Sequence, residues 1–222
     1  MMRLTRIPPA IMQETAADEQ LTTSLPYRHS SWIVRELFWS RLQRLIALCP
    51  HDGRNSVLDL GGGSGVLLPT LSQMFRQVIC LDRFVGEAQG IVAHYRLGNV
   101  TLIEGDLLNS GLADGMFDVI IAADVLEHIL QLRQACQEIY RLAAGKFLIT
   151  GPTENLLYRL GRLICGFEKP EDHYFTYRQV EEHILDSGFR LERRSFVPVN
   201  LGEPFSAFGV ACFGKTILSV TR

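Results

Sequence analysis

The sequence lacks the features of a disulfide-stabilised, metal-caged or membrane-spanning protein. Its five cysteines form no CxxC pair and are odd in number, which argues against a disulfide framework or a zinc cage. A membrane-spanning helix needs about 18 uninterrupted apolar residues, and no stretch of the sequence approaches this length. Residues 1–10 lack the apolar centre of a signal peptide. We therefore expect a cytoplasmic protein with reduced thiols. Three of these, Cys80, Cys136 and Cys212, lie in apolar segments typical of a core.

A surplus of positive charge is also absent. The 22 Lys and Arg residues are balanced by 24 Asp and Glu residues, which leaves a formal charge of −2 and a pI near 6.3. Because binding to a phosphate backbone needs a basic surplus, we expect no nucleic-acid partner. With 47% apolar and 21% charged residues among 222, the composition is that of a globular chain with an ample core.

Alternating strands and helices predict an α/β fold. The apolar spacing favours a helix from Ser30 to about Leu48 after a loose segment with prolines, so residues 1–50 are expected to form an N-terminal helical arm or cap. Residues 51–222 then contain seven predicted strands, at 57–60, 78–81, 100–104, 117–123, 146–150, 190–197 and 207–215. Helices separate most of them, which predicts a doubly wound, mostly parallel, Rossmann-like sheet that binds ligands at the carboxyl ends of its strands.

A glycine-rich loop follows the first predicted strand, in the run VLDLGGGSG from Val57 to Gly65. Glycines in such a loop let the backbone approach a ligand closely, although a plain glycine-rich turn is the alternative for the loop alone. The second strand ends at Asp82, 19 residues after Gly63. A carboxylate there can accept hydrogen bonds from both ribose hydroxyls of a nucleoside. The two features together favour a nucleoside site over a surface aspartate that caps a turn.

The third and fourth strands also end in polar residues. Asp106, in the run EGDL, is placed to accept a hydrogen bond from an adenine amino group while Leu107 packs on the ring; a solvated turn aspartate is the alternative. The fourth strand ends in AADVLEH, which puts Asp124, Glu127 and His128 beside the central crevice of the sheet. Glu127 and His128 could instead be helix-start residues that are hydrogen-bonded to the backbone.

These four motifs, in this order and spacing, resemble the class I S-adenosylmethionine-dependent methyltransferases. They are most similar to the small-molecule branch whose fourth strand ends in LEH, which includes the ubiquinone-biosynthesis O-methyltransferases. The resemblance covers about residues 33–150 by motif and extends in pattern to about residue 215. Its glycines, Gly61, Gly63 and Gly65, follow GxGxG and not the NAD fingerprint GxGxxG, since position 66 is Val. An NAD-linked oxidoreductase is therefore a distant alternative.

The resemblance implies S-adenosylmethionine as the cofactor and S-adenosylhomocysteine as its product. Asp59 would order the glycine loop and help to hold the amino group of the methionine part. Asp82 would hold the ribose. The cofactor-binding residues that the resemblance implies are Asp59, Gly61, Gly63, Asp82, Asp106, Leu107, Ala123, Asp124 and Leu126. The last three would line the side from which the methyl group leaves.

Two histidines are the candidates for catalysis. His128 is the first candidate for a base or an orienting group, because imidazole titrates near neutral pH. His173 is the second, because in relatives its segment folds over the acceptor. In some quinone O-methyltransferases, acidic and histidine residues at such positions hold a divalent cation. Glu127, His128 and His173 could do so here, but a site without a metal is the favoured interpretation.

The acceptor is the least constrained part of the prediction. Residues 152–174 form an insert after the fifth strand, expected beside the carboxyl ends of the first and fourth strands. Its leucines and two arginines suit a lid over an apolar or anionic acceptor, or a helix that contacts a membrane surface; an ordinary packed amphipathic helix is the alternative. We expect an enzyme that methylates an O, N or C atom of a small-molecule or lipid-linked acceptor. A non-catalytic S-adenosylmethionine-binding or interaction module with the same fold is the alternative.

Overall fold

The computed structural model describes residues 3–16, 23–50, 56–164 and 172–216. Within them lie seven strands, which are β1 (Ser56–Leu60), β2 (Gln77–Asp82), β3 (Val100–Glu104), β4 (Phe117–Ala123), β5 (Ala143–Pro152), β6 (Phe189–Val197) and β7 (Phe208–Lys215). They form one sheet in the order β3-β2-β1-β4-β5-β7-β6. Only the pairs made by β7 are antiparallel. The predicted mostly parallel, seven-stranded sheet is therefore confirmed.

Helices cover both faces of this sheet. They are α1 (Pro9–Thr15), α2 (Leu25–Arg28), α3 (Trp32–Leu48), α4 (Leu68–Met74), α5 (Gly86–Tyr95), α6 (Leu132–Leu142), α7 (Leu156–Ile164) and α8 (Tyr177–Asp186), with single 3₁₀ turns at Leu107–Asn109, Leu126–His128 and Glu203–Phe205. Local sequence sets several of the ends. Thr176 and Gln179 form a reciprocal capping box at the start of α8, for example, which satisfies two backbone N–H groups.

The core has two layers because successive side chains of a strand point to opposite faces. In β1, Val57 packs in the layer that contains α3, α4 and α5, whereas Leu58 packs in the layer that contains α6 and α8. In β4, Ile121 and Ile120 divide in the same way. The central strands are thus covered on both faces, as expected for parallel strands made of unbroken apolar runs.

The described N-terminal residues 3–16 pack against the domain like a cap and are not a loose arm. Leu4, Ile7 and Met12 are each buried in the layer that contains α3 and α4. The Leu4 N–H donates to Gln43 Oε1 at 2.9 Å, and the Thr5 N–H donates to Thr70 Oγ1 at 2.9 Å. Burial of three apolar side chains stabilises this segment although it has only one short helix.

Two further expectations concern cysteines and membranes. None of the cysteines in the described ranges forms a disulfide, and Cys80, Cys136 and Cys212 lie in the core as predicted. Over those same ranges, no helix combines the length and the apolar character that crossing a bilayer requires.

The topology places a crevice at the centre of the sheet. The strands β1 and β4 are neighbours, yet the chain leaves β1 toward β2 and leaves β4 toward β5, on the other side. Ligands of open α/β sheets bind at such a reversal, outside the carboxyl ends of the strands. The loops after β1, β2, β3 and β4 therefore surround the candidate site.

Candidate active site

A cavity of about 1220 Å³ lies at the carboxyl ends of β1 to β4. Its walls are the glycine loop after β1, the residues that follow β2, β3 and β4, the N-terminal half of α3, and one side of α7. The sequence-predicted residues that line it are Asp59, Gly61, Gly63, Asp82, Asp106, Leu107, Ala123, Asp124, His128 and His173. The fold thus brings all but one of the predicted site residues to a single cavity.

The glycine loop closes through two backbone conformations that favour glycine. Gly61 has φ +64° and Gly63 has φ +51°. A Cβ added at Gly61 would lie 2.5 Å from a methyl carbon of Val125, and one at Gly63 would lie 2.5 Å from the Thr23 hydroxyl. Backbone conformation and close packing therefore both require glycine at these two positions.

Asp82 links the end of β2 to this loop. Its Oδ2 accepts a hydrogen bond from the Gly63 N–H at 2.7 Å, and its Oδ1 accepts one from the Phe84 N–H at 3.0 Å. The carboxylate also lines the cavity. Its position suits a group that fixes the loop and faces a ligand at the same time.

Asp59 is the most deeply buried acid of the site, at 2% exposure. Its Oδ2 has no hydrogen-bond partner among the residues that the structure describes. Burial, assisted by the charge of Asp82, raises the pKa of the Asp59 carboxyl to about 7. A buried acid of this kind can pair with a cationic ligand group, because ionisation is favoured once a positive charge lies next to it.

Asp106 and Leu107 form the wall beyond β3. Asp106 Oδ1 accepts a hydrogen bond from the Leu108 N–H at 2.9 Å, and the Arg83 guanidinium lies 3.0 Å from its Oδ2. The Leu108 N–H, followed by Arg83, lowers the pKa of the Asp106 carboxyl. Leu107 is buried beside it and presents an apolar surface to the cavity.

Asp124, just after β4, belongs to a buried polar network that joins the sheet to α3. It has a positive φ of 57°, and its side chain accepts a short hydrogen bond from Arg41 Nη1. Arg41 Nη2 donates to Tyr27 Oη at 2.9 Å. The Arg41 guanidinium packs against the rings of Phe38 and Phe208, at 4.8 and 4.9 Å from their centroids. A buried cation held in this way keeps Asp124 at the cavity wall.

Leu126 is the predicted cofactor residue that the structure does not bring to this cavity. It begins the 3₁₀ turn Leu126–His128 and is 2% exposed, packed in the core layer of α6 and α8. The turn directs Leu126 toward the core and leaves Val125 at the cavity wall, where it contacts the glycine loop. Ala123 lines the cavity as predicted.

Two histidines lie against each other at the far end of the cavity. The rings of His128 and His173 have centroids 4.4 Å apart, and His128 Nδ1 lies 3.0 Å from Asp172 Oδ2. His173 Nδ1 lies 3.5 Å from Glu154 Oε1. Burial, followed by the nearby His128, lowers the pKa of His173. Each imidazole therefore has its own carboxylate neighbour, and His173 favours the neutral form.

Glu127 lies beside the two rings and is 3% exposed. Burial raises the pKa of its carboxyl, against an opposing effect of His128. One ligand atom each from Glu127, His128 and His173 lies within 4.8 Å of the other two. Groups at this spacing can exchange protons with a bound molecule, and the same spacing would accommodate a cation.

The insert after β5 also reaches the cavity, as expected. Tyr158 and Arg162 of α7 belong to its lining, and Arg162 Nη1 donates to Glu154 Oε1 at 2.8 Å. The Arg162 guanidinium therefore faces a carboxylate of its own insert. Residues 165–171 of the insert lie outside the described part of the chain.

Sequence reasoning missed Arg41, Thr23 and Glu154. Arg41 lies on a face of α3 that also buries Leu42 and Leu45. A cation among apolar residues on one helix face was the sequence signal that could have indicated a buried arginine. Thr23 accepts a hydrogen bond from the Ser64 N–H at 2.8 Å, across 41 positions of sequence. Neither Thr23 nor Glu154 lies in a motif, so contacts made by the folded chain were needed to find them.

The chain is similar in sequence to known methyltransferases. The sequence profile of a methyltransferase domain family matches residues 58–149. Over 191 residues the chain is 31% identical to the Mycolicibacterium smegmatis protein named "Probable S-adenosylmethionine-dependent methyltransferase", which covers 79% of this chain and 69% of that protein.

Solved structures share the fold. A SAM-dependent methyltransferase from Aquifex aeolicus superposes with a TM-score of 0.66 at 18% identity, over 95% of this chain and 100% of its own. Magnesium protoporphyrin IX methyltransferase from Synechocystis, solved with bound S-adenosylhomocysteine, superposes with a TM-score of 0.63 at 19% identity. That match covers 85% of this chain and 89% of the other.

Proposed function

Because the chain belongs to the class I S-adenosylmethionine-dependent methyltransferases, we propose that it methylates an O, N or C atom of a small-molecule or lipid-linked acceptor. The observation that carries this proposal is the single cavity that joins the glycine loop and Asp82 to the histidine pair. S-adenosylmethionine, when bound, supplies a methyl group on a sulfonium, which is an excellent leaving group. The task of the protein is therefore largely to position the acceptor and to accept its proton.

The residues around the glycine loop fit this cofactor. Buried Asp59 has an oxygen without a donor, and the ammonium of the methionine part would supply one. Because Gly61 and Gly63 carry no side chain, the loop packs closely against Val125 and Thr23 and keeps its backbone at the cavity wall, where methionine and ribose would bind. Asp82 would accept hydrogen bonds from the ribose, and Asp106 would accept one from the adenine amino group.

On the side from which the methyl group leaves, we assign the wall to Ala123 and Asp124. Arg41 fixes Asp124 from behind through their buried ion pair. Leu126 supports this wall from the core instead of contacting the cofactor, since it is buried in the layer that contains α6 and α8.

The histidine pair supplies the acid–base chemistry of the proposal. Asp172 lies next to His128 Nδ1 and favours the tautomer that carries the proton on that nitrogen. Nε2 of His128 is then free to take a proton from an acceptor hydroxyl, amine or acidic carbon. His173, neutral and next to Glu154, orients the acceptor. We propose that this cluster works without a metal.

The proposed location is the cytoplasm. In the described ranges the cysteines are in the thiol form, which suits a reducing compartment. The charge balance of 22 to 24 supports the expectation that nucleic acid is not a partner.

The first experiment is calorimetry of the purified protein with S-adenosylmethionine, S-adenosylhomocysteine and NAD. We expect binding of the first two and no measurable NAD binding. Asp82→Ala should weaken S-adenosylhomocysteine binding by about 1–3 kcal/mol, because a buried ribose would lose a charged acceptor. Unchanged affinity in Asp82→Ala would contradict its assignment.

The second experiment screens apolar and lipid-linked acceptors for release of S-adenosylhomocysteine. Each positive acceptor is repeated with EDTA and then with added magnesium. Turnover that survives EDTA supports the metal-free cluster. Loss with EDTA and recovery with magnesium would instead assign a cation to Glu127, His128 and His173.

A further inference from the structure

Helix α7 exposes its apolar side to solvent. Three of its four leucines, Leu156, Leu160 and Leu163, are 82%, 52% and 75% exposed. They are spaced i, i+4 and i+7, which places them on one face of a helix. Tyr158 and Arg162, also four positions apart, lie on the other side and line the cavity. These three leucines therefore face solvent, whereas the leucines of an ordinary surface helix face the core.

Other exposed apolar residues line the same cavity as α7 or lie in a turn that packs against α7. Trp32 and Ile33, at the start of α3, are 66% and 62% exposed and belong to the cavity lining. Phe205 is 60% exposed in the 3₁₀ turn that packs against α7. We call the six residues Trp32, Ile33, Leu156, Leu160, Leu163 and Phe205 the apolar rim. Exposed apolar clusters of this kind on a soluble domain mark interaction sites.

The loop that carries Phe205 is anchored to α7 and is therefore a fixed part of this surface. The Asn155 side-chain amide donates to the backbone carbonyls of Glu203 and Ser206 at 2.5 and 2.7 Å. The ring of Tyr158 packs against that of Phe208 at 5.5 Å between centroids. These contacts fix the backbone that carries the exposed apolar side chains, so the side chains are exposed in the folded protein.

We propose that the apolar rim inserts into the surface of an anionic lipid bilayer, so that an acceptor enters the cavity from the membrane. The inference deepens the proposed function and rests on it, since it selects the lipid-linked class of acceptor. Leucine, tryptophan and phenylalanine beside arginine are the composition of helices that lie in a bilayer interface. Trp32 of the rim and Tyr158 of α7 line the same cavity as the two histidines, so an apolar acceptor that enters beside them would pass from the bilayer to the histidines.

Charge favours a bilayer over a second copy of this chain. Residues 156–164 include Arg159 and Arg162 and no acidic residue. Arg162 is paired with Glu154, whereas Arg159 is exposed beside the leucine stripe and would face anionic headgroups. In a symmetric dimer built on this face, each patch meets its own copy, so two α7 segments that carry arginine and no acidic residue would face each other.

The test measures co-sedimentation with phosphatidylcholine vesicles that contain about 30 mol% phosphatidylglycerol, an anionic fraction of the kind that attracts basic surfaces. The double variant Leu160→Ser/Leu163→Ser should lower the ratio of bound to free protein roughly tenfold or more, because two inserted leucines are lost. Leu185→Ser is the matched control. This leucine is 40% exposed on α8, outside the cavity lining, and its exchange should leave vesicle binding unchanged.

Tryptophan fluorescence supplies a second measurement that does not depend on the leucine variants. The chain has two tryptophans, of which Trp39 is buried at 5% exposure and Trp32 is exposed. Vesicles should therefore shift the emission of Trp32 to shorter wavelength, and Trp32→Phe should abolish the shift. An unshifted spectrum in the presence of bound vesicles would overturn the placement of the rim.

Calorimetry with S-adenosylhomocysteine in solution separates this inference from the proposed function. A protein that binds S-adenosylhomocysteine but not anionic vesicles overturns the membrane contact and leaves the methyltransferase assignment intact. Equal vesicle binding by wild type and the double variant also overturns it. The membrane contact is also overturned if the wild-type protein is a dimer in solution and the double variant is a monomer, because the rim would then be an interface between copies. Unchanged S-adenosylhomocysteine affinity in the double variant shows that it is folded.

Discussion

Asp59→Asn tests the electrostatics of the cofactor end of the cavity. Burial at 2% exposure and the neighbouring Asp82 raise the pKa of Asp59 from 3.8 to about 7. The folded protein therefore holds this proton more tightly than the unfolded chain. Between pH 4 and pH 7 the folded state binds more protons, so the stability of the ligand-free protein falls as pH rises through this range.

The size of the effect follows from the two pKa values. A difference of about three in pKa, at 1.36 kcal/mol for each, corresponds to about 4 kcal/mol once the pH exceeds about 7. Asparagine has no proton to lose. The free energy of unfolding of Asp59→Asn, measured relative to wild type, should therefore increase by about 2–4 kcal/mol from pH 4 to pH 8.

The assay is urea unfolding of both proteins without ligand at several pH values. Asp186→Asn is the control, because Asp186 is an exposed carboxylate at the end of α8, away from the cavity. The free energy of unfolding of Asp186→Asn should change with pH in the same way as that of wild type from pH 4 to pH 8. A difference between Asp59→Asn and wild type that stays constant from pH 4 to pH 8 would refute the reasoning, because Asp59 would then be ionised throughout.

Ligand binding should show the reverse dependence. If the ammonium of the cofactor pairs with ionised Asp59, wild-type affinity for S-adenosylhomocysteine should rise as pH increases through about 7. Asp59→Asn should bind about 1–3 kcal/mol more weakly and lose this rise. Calorimetry at pH 6 and pH 8 separates the two proteins. Parallel pH profiles would assign the ammonium to a different partner.

Three further substitutions test the rest of the site. His128→Ala should lower turnover by about 10²–10⁴ with little change in S-adenosylhomocysteine affinity, and wild-type turnover would leave His128 a structural role. Gly63→Ala should weaken S-adenosylhomocysteine binding tenfold or more in calorimetry, because Gly63 has φ +51° and an added Cβ would lie 2.5 Å from the Thr23 hydroxyl. Gly111→Ala is the control: Gly111 has φ +64° with no atom near an added Cβ, and this variant should bind S-adenosylhomocysteine like wild type. Arg41→Met should lower the free energy of unfolding by about 3–5 kcal/mol, because it leaves the carboxylate of Asp124 unpaired. The double variant Arg41→Met/Asp124→Asn should lose less than the sum of its parts, and strict additivity would argue against the pair.

Most of the sheet could be predicted because its strands are short apolar runs bounded by glycine and polar residues. β3 and β4 have the predicted limits, at Val100–Glu104 and Phe117–Ala123. β5 is longer than predicted and spans Ala143–Pro152, since pairing with β7 continues as far as Pro152. Its ends therefore depend on a partner strand about 60 residues away, which local composition does not reveal.

The N-terminal segment shows the opposite limit of sequence reasoning. Leu4, Ile7 and Met12 are separated by polar residues and prolines and form no long periodic run. They become core residues because α3, α4 and α5 together offer an apolar surface for them. Burial of this kind comes from tertiary packing and overrides weak local propensity.

Within the site, residues at strand ends could be predicted because parallel strands bring their carboxyl ends to one edge. Asp59, Asp82 and Asp106 line the same cavity for that reason. Arg41 could not be found in this way, since it contacts Asp124 across 83 positions of sequence. Leu126 illustrates a finer limit, because one 3₁₀ turn decides whether a side chain faces the cavity or the core.

Backbone shapes one end of the cavity and side chains shape the other, and this difference determines where acceptor specificity can change. At the proposed cofactor end, backbone conformation sets the shape, and Gly61 and Gly63 leave no room for a Cβ. At the proposed acceptor end, side chains from separate segments set the shape, among them His128, Arg162 and His173. A side chain can be exchanged without moving the backbone, whereas a glycine at positive φ cannot. Changes in acceptor choice should therefore arise in α3, α7 and the residues around His173, while S-adenosylmethionine binding is preserved by the loop after β1.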